Sequence, residues 1–178
     1  MSKADQLMAL LRREMNGAVA EEMAARGIHY TVNFGVSTAT IRQIAAAFAP
    51  DDALACELWL RPEREAILAA LFIADCGVLD ETRLVFWEKR VINSEVAEYL
   101  AFAQTGRSAV AWEAFVRWSE SSNPLLRYCA AMTLLRLLVL RGDTTCWDMA
   151  RVTTFAKACA TSPDRALRSA AERLEERL

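Results

Sequence analysis

Glycine, proline and histidine are scarce in this chain of 178 residues, and each scarcity excludes a class of protein. Six glycines and four prolines are too few for the many turns of a β sandwich. The only histidine, His29, excludes His-based acid–base catalysis, catalytic triads and metal sites built from several histidines. The five cysteines form no Cys-x-x-Cys pair, so we interpret them as reduced thiols rather than as a disulfide framework or a zinc site.

Long hydrophobic runs and lysine are also lacking. The longest unbroken apolar run covers residues 66–74, far short of the ~20 residues that cross a bilayer, so we predict no membrane partner. The sequence begins without the apolar core of a signal peptide, and we therefore expect a cytoplasmic protein. Only three of the 21 basic residues are lysines, and arginine presents a planar group that suits phosphate. The net charge of −2 weakens a DNA-binding hypothesis without excluding it.

Helical periodicity, by contrast, is present along almost the whole chain. Apolar residues recur at positions i, i+3, i+4 and i+7, as in the set Val96, Tyr99, Leu100 and Ala103. Each such stripe must be buried against a neighbouring element, and Trp59 and Trp118 lie on or near stripes, so we predict that both pack in the core. The pattern predicts an all-α protein of roughly ten helices in a single domain over residues 1–178.

A faint repeat organises these helices. We predict that helices open at Pro62, Asn93, Pro124 and Pro163, which gives spacings of 31, 31 and 39 residues with one additional helix between successive openings. Helix pairs at this period are typical of an α-α superhelix of HEAT-like or ARM-type repeats, here a curved right-handed solenoid. The alternative is an ordinary helical bundle, whose loops do not need to recur in register.

The repeat also brings charged residues into register. In a solenoid the second helix of each pair lines the concave surface, and equivalent positions of stacked repeats lie side by side. Arg64, Arg127 and Arg165 follow their openings by two or three residues, and Glu95 occupies the matching position, with Glu98 one turn later. The pattern predicts a concave groove in which arginines border a pair of carboxylates. Alternatively, these residues form ordinary ion pairs between repeats on a solvated face.

Three segments carry a resemblance to a known family. They are residues 29–45 (HYTVNFGVSTATIRQIA), residues 58–71 (LWLRPEREAILAAL) and residues 118–130 (WSESSNPLLRYCA). They resemble the Tyr and Gly-Val-Ser entry segment, the Leu-Trp and Arg-Glu helix pair, and the Trp-x-x-Ser-x-Asn stretch of the DNA alkylation repair glycosylases. The resemblance implies a fold of HEAT-like helical repeats that curve around duplex DNA.

The resemblance also implies a site. The family's Trp-Trp-Asp-x-Val-Asp motif corresponds to residues 93–98 (NSEVAE), in which both acids are Glu and neither tryptophan is present. Glu98 and Glu95 are then the candidate catalytic residues for hydrolysis of the N-glycosidic bond of a cationic alkylated purine, without a metal or other cofactor. The expected contacts with the DNA backbone come from the arginines of the concave face, Arg64, Arg127, Arg165 and Arg168.

A second hypothesis belongs to a different class of protein. The chain is then a non-catalytic helical-repeat scaffold whose concave groove binds a protein partner, as the acidic net charge and the missing motif tryptophans favour. Binding to duplex DNA that weakens steeply with added salt distinguishes the first hypothesis from the second.

Overall fold

Helices make up all the regular secondary structure that the computed structural model describes, which covers residues 1–141, 144–145 and 147–177. The chain divides into two compact units, Met1–Asp75 and Cys76–Leu178. The N-terminal unit contains α1 (Lys3–Arg13), α2 (Gly17–Ala25), α3 (Thr38–Ala46), α4 (Asp52–Trp59) and α5 (Arg64–Ile73). The C-terminal unit contains α6 (Glu81–Glu88), α7 (Ser94–Ala103), α8 (Ala111–Ser119), α9 (Pro124–Arg141), α10 (Met149–Ala160) and α11 (Arg165–Glu175), with short 3-10 helices at Cys76–Val78 and Thr105–Arg107.

Short polar side chains begin most of these helices. Each accepts a hydrogen bond from a backbone N–H in the first turn, a group that has no partner within the helix itself. The capping residues are Ser2, Asn16, Ser37, Asp51, Asp80, Asn93, Asp148 and Asp164. The helix starts predicted from the sequence are therefore confirmed to within two residues at α5, α7, α9 and α11.

The N-terminal unit is built around α5. This helix is buried along nearly its whole length and packs against α3 and α4, while α1 contacts all three. An irregular segment, residues 28–37, joins α2 to α3 and runs beside the start of α5, where the N–H of Arg64 donates to the carbonyl of Val32 at 2.8 Å. The first turn of α5 therefore serves as the anchor of this segment.

The C-terminal unit is built around α9. This helix packs against α7 on one side, α11 on the other and α8 behind, and its central residues Cys129, Ala130, Ala131 and Leu134 are fully buried. Because α7, α9 and α11 are the second helices of successive pairs, they form one continuous second-helix layer, with α8 and α10 as the first helices of their pairs. The predicted alternation of helices is confirmed within this unit.

The structure also bears on the predictions made for the cysteines and for two of the tryptophans. The four described cysteines are free thiols, and the fifth, Cys146, lies outside the described residues. Trp59 and Trp118 are buried in the core, as predicted. In the described part of the chain, no helix combines the length and the apolar character that a membrane span requires.

Candidate functional site

A small cleft opens on the second-helix layer of the C-terminal unit. Its volume is about 190 Å³, and it lies where α7, α9 and α11 meet. Its walls combine apolar side chains with two arginines and one carboxylate: Glu98, Phe102, Met132, Leu135, Arg136, Val139 and Arg173. We call this the second-helix cleft. Glu98 and Phe102 are four residues apart on α7 and therefore face the same side, as the helical spacing predicts.

The guanidinium of Arg136 lies over the ring of Phe102 in this cleft. Its central carbon is 4.1 Å from the ring centroid, which is the geometry of a cation–π contact. The Nε of Arg136 is buried and has no hydrogen-bond partner among the described residues. Burial, with repulsion from the nearby Arg107, lowers the pKa of Arg136 from its usual value. This cation is thus partly desolvated, and no carboxylate of the described residues neutralises it.

The carboxylate of Glu98 forms the acidic wall of the cleft. Its side chain is exposed, and the hydroxyl of Tyr128 donates to its Oε2 at 3.4 Å. Burial, together with the charge of Glu98, raises the pKa of the Tyr128 hydroxyl, so that this group remains a hydrogen-bond donor. Glu95 lies one turn earlier and is half-buried in the first turn of α7. Of the two candidate acids, Glu98 is the one that lines the cleft.

Arg127 occupies a different place from the one that register alone predicts. Its guanidinium lies 5.9 Å from the ring centroid of Phe155, and its Nη2 is 3.1 Å from the Sγ of Cys159, both on α10. It lines a separate cleft of about 530 Å³, which it shares with Arg151 and Glu120. Its Nε is also buried without a hydrogen-bond partner in the described part of the chain. Arg127 and Glu98 therefore line different clefts.

Arg165 and Arg168 both lie in the first turn of α11. Arg165 is exposed, while Arg168 is half-buried and donates from Nη1 to the carbonyl of Ser162 at 2.6 Å. The arginine of α11 that lines the second-helix cleft is Arg173, two turns after Arg165. The first turn of α11 thus presents one exposed arginine and one whose guanidinium is tied to the preceding loop.

Arg64 requires a correction, because the structure places it in the interior of the N-terminal unit. Its side chain is only 3% exposed, and it donates to the carbonyl of Val36 at 2.7 Å and to the carboxylate of Glu65 at 3.2 Å. Glu65 in turn accepts from the backbone N–H groups of Phe34 and Val36 at 3.1 and 3.2 Å. Arg64 therefore holds the 28–37 segment to α5 rather than facing a groove.

Arg136, Arg173 and Arg107 were not among the arginines that the sequence singled out. One signal pointed to Arg136: it interrupts α9, which is otherwise apolar almost all round. Arg173 carries no such signal, since it belongs to the charged face of the last helix. Within the described residues, no three His, Cys, Asp or Glu side chains cluster in a way that could hold a metal ion.

Comparisons with known proteins agree with this architecture. One solved structure superimposes with a TM-score of 0.86 at 19% identity, over 99% of this chain and 75% of its own. It is described as a member of a new family of proteins related to the HEAT-like repeat DNA glycosylases, with affinity for branched DNA structures. The all-α, HEAT-like repeat fold predicted from the sequence is thus confirmed, although no curated protein matches the chain. The sequence model of the family described as "DNA alkylation repair enzyme" matches residues 7–172, and the chain belongs to that family.

Proposed function

We propose that this protein binds DNA through backbone phosphates, using arginine side chains of α9 and α11. Membership of a DNA repair family supports a DNA partner, and the similar structure belongs to proteins with affinity for branched DNA. Arg136 and Arg173 line the second-helix cleft, and Arg165 is exposed in the same layer. The net charge of −2 is compatible with this function, because a phosphate responds to the local field of the surface that it approaches.

The observation that carries this proposal is the unneutralised charge of Arg136. Charged groups removed from water are usually paired, as the half-buried carboxylate of Glu88 is with Arg117 at 2.7 and 2.8 Å. Arg136 is half-buried and bonds no carboxylate of the described residues. A partly desolvated guanidinium forms a stronger bond to phosphate than a fully hydrated one does, since less water must be displaced and the local dielectric is lower.

The first turns of α9 and α11 extend the proposed interface. Arg127 lies in the first turn of α9, and Arg165 and Arg168 lie in the first turn of α11. The N-terminus of α9, which is capped by the neutral side chain of Asn123, presents the positive end of the helix dipole in the same turn as Arg127, which favours an anion there. We include these three arginines in the proposed DNA interface as secondary contacts outside the second-helix cleft.

The test is binding of a fluorescently labelled duplex, measured by anisotropy over a series of salt concentrations. Each phosphate contact contributes a slope of about −0.9 to log K against log salt, so Arg136→Gln should weaken binding and reduce the slope by about one contact. Arg13→Gln removes the same charge from an exposed position on α1 and serves as the control. Absence of binding at low ionic strength would overturn the proposal and leave the protein-binding scaffold in its place.

A second candidate function, hydrolysis of the N-glycosidic bond of a cationic alkylated purine, is favoured by the placement of Glu98. In this reaction the bond between C1′ and the base nitrogen breaks, and its electron pair neutralises the cationic base. The base leaves without needing a general acid, water adds to C1′ and loses a proton, and a carboxylate stabilises the positive charge that develops on the sugar. Glu98 is exposed in the cleft and could supply that charge, with Glu95 one turn away.

Release of methylated base from alkylated duplex DNA tests this second function. The wild-type protein should release base, and Glu98→Gln should reduce the rate by about 100-fold or more, because removal of a single stabilising electrostatic contact typically costs that much. Glu95→Gln is the matched variant and should have the smaller effect, since Glu95 does not line the cleft. A wild-type protein that binds DNA but releases no base would exclude the catalytic function and leave the binding function intact.

A further inference from the structure

The geometry points to a more specific ligand for the second-helix cleft: an unpaired nucleotide of branched or frayed DNA, whose base stacks on the guanidinium of Arg136. This inference rests on the proposed DNA-binding function and deepens it. It concerns an unmodified nucleotide and involves no bond breaking, so it does not depend on the candidate catalytic function.

The platform for the base is the stacked pair of Phe102 and Arg136. The guanidinium is planar, and one of its faces is covered by the phenyl ring at 4.1 Å. The other face remains for a second planar group, because Arg136 is only half-buried and lines the cleft. Stacking of bases on aromatic rings and on arginine planes is the main attraction by which proteins hold single-stranded nucleotides.

The 3-10 helix Thr105–Arg107 holds this platform in place. A Cβ built on Gly106 would lie 2.6 Å from both the Cβ and the Cγ of Arg136, so only glycine lets this turn lie against the stem of the arginine. The hydroxyl groups of Thr105 and Thr133 share a buried hydrogen bond of 2.7 Å, which ties the turn to α9. Arg136 thus reaches Phe102 along a stem that is confined on one side.

The rest of the cleft matches the parts of a nucleotide. Met132, Leu135 and Val139 supply apolar surface for a base, and Val139 is 61% exposed. Arg173 stands at the edge of the cleft, and Arg107 is close enough to repel Arg136, so that both can meet the flanking phosphates. The carboxylate of Glu98 can accept hydrogen bonds from the exocyclic amino group of cytosine or adenine.

A base inside a continuous duplex does not fit this site. Both of its faces are covered by neighbouring base pairs, and removing it from the stack costs a few kcal/mol. A nucleotide at a fork, flap or junction has already lost those neighbours. We therefore expect stacking in the cleft to add affinity for DNA with unpaired nucleotides, while the phosphate contacts of Arg136 and of the other arginines serve duplex and branched DNA alike.

The experiment compares a blunt duplex with a forked DNA that has the same number of phosphates and 2-aminopurine as its first unpaired base. The wild-type protein should bind the fork about tenfold more tightly than the duplex, as one stacked base contributes. Binding should also quench the 2-aminopurine fluorescence, which reports stacking directly. Arg136→Lys keeps the positive charge but removes the planar group, so it should lose both the preference for the fork and the quenching.

Three further variants complete the design. Phe102→Leu and Gly106→Ala should also lose the preference, because the first removes the ring beneath the guanidinium and the second displaces the arginine stem. Arg13→Lys makes the same substitution at an exposed arginine of α1, outside the cleft, and it should retain the preference. Thermal unfolding of each variant verifies that the fold is retained.

The possible outcomes distinguish failure of nucleotide stacking in the cleft from failure of the proposed DNA binding. Equal affinity for fork and duplex, or a preference that survives in Arg136→Lys, would overturn this inference and leave the proposed DNA binding standing. Loss of the preference in Arg13→Lys as well as in Arg136→Lys would also overturn it, since the effect would then not depend on the planar group in the cleft. Failure to bind either DNA at low salt would overturn both.

Discussion

The two units of this protein treat buried arginine in opposite ways. In the N-terminal unit, Arg64 is almost completely buried, and it donates to a carbonyl and a carboxylate. In the C-terminal unit, the half-buried Arg136 is stacked on a ring, and its Nε has no hydrogen-bond partner among the described residues. The first arrangement completes the structure of the unit, while the second leaves a cation for which the described residues supply no counterion.

The residues that carry the family resemblance in the N-terminal unit differ in role from the residues that offer a binding surface in the cleft. Phe34, Val36, Arg64 and Glu65 belong to the segments that carry the resemblance, and the structure brings them into one hydrogen-bonded cluster inside the N-terminal unit. Such a cluster has a structural role, because it satisfies buried polar groups. The residues that offer unneutralised charge and a planar surface lie on α7, α9 and α11, outside the recognisable motifs.

The strongest way to test this contrast is to remove the charge of Glu65. This carboxylate is fully buried and accepts from Arg64 and from the N–H groups of Phe34 and Val36. In Glu65→Gln the buried guanidinium loses its counterion, and we expect a loss of about 3–5 kcal/mol in the free energy of unfolding. Chemical denaturation measures this loss.

The control is Glu22→Gln, which removes a surface ion pair with Arg26 and should change stability by less than about 1 kcal/mol. Equal denaturation midpoints for Glu65→Gln and the wild-type protein would show that this cluster contributes no stability and would remove the contrast between the units.

The second test concerns Gly35, which shapes the same cluster. Its φ of +72° lies in the left-handed region, and a Cβ at this position would lie 1.9 Å from the carbonyl oxygen of Asn16. The backbone conformation alone costs an alanine about 1–3 kcal/mol, and the collision adds to this cost. Gly35→Ala should therefore lower the denaturation midpoint clearly. Gly27→Ala is the matched control, because Gly27 also has a positive φ but has open space around it, so the difference between the two variants measures the collision.

Much of the fold could be predicted from the sequence because the signals that form helices are local. Helical periodicity, capping side chains and prolines act within a few residues, so the helical class, the helix starts and the buried Trp59 and Trp118 all followed from short windows. The repeat spacing was enough to predict that α7, α9 and α11 form one layer. The division into two compact units had no signal in composition, since no proline-rich or glycine-rich linker separates them.

The site was harder to predict, because the partner of a guanidinium is set by packing between distant segments. Arg64 meets Val36, which lies 28 residues earlier, and that encounter turns an expected surface arginine into a buried one. Arg136 meets Phe102 of another helix, and the position of that contact depends on the close approach of Gly106. Equivalent positions in a repeat share a helix face, yet they do not share neighbours, which is why Arg127 and Glu98 line different clefts.

A pH titration extends the comparison to a charged group of the C-terminal unit that has hydrogen-bond partners, the carboxylate of Glu88. The hydrogen bonds from Arg117 and from the indole of Trp118 hold the pKa of Glu88 below its usual value. Its contribution to stability is therefore complete above the pKa of the unfolded state, about 4.3, and disappears as the pH falls through the lower pKa of the folded state. Relative to the wild-type protein, Glu88→Gln should be less stable by about 1 kcal/mol at neutral pH, a modest value because Arg117 is 38% exposed. This difference should shrink below about pH 4. A difference that is constant from pH 7 to pH 3 would contradict the assignment.

The smallest expected effect on stability is the most informative one. Arg136→Gln removes a cation–π contact, which stabilises by about 0.5–1 kcal/mol, and it also removes a buried donor that has no partner in the described part of the chain, which offsets part of that loss. We expect the free energy of unfolding to stay within about 1 kcal/mol of the wild-type value while DNA affinity falls. A residue whose removal weakens binding but changes the stability little functions in ligand binding rather than in folding. If Arg136→Gln instead destabilises the protein as much as Glu65→Gln does, then Arg136 is as structural as Arg64, and the two units do not differ in the way they use arginine.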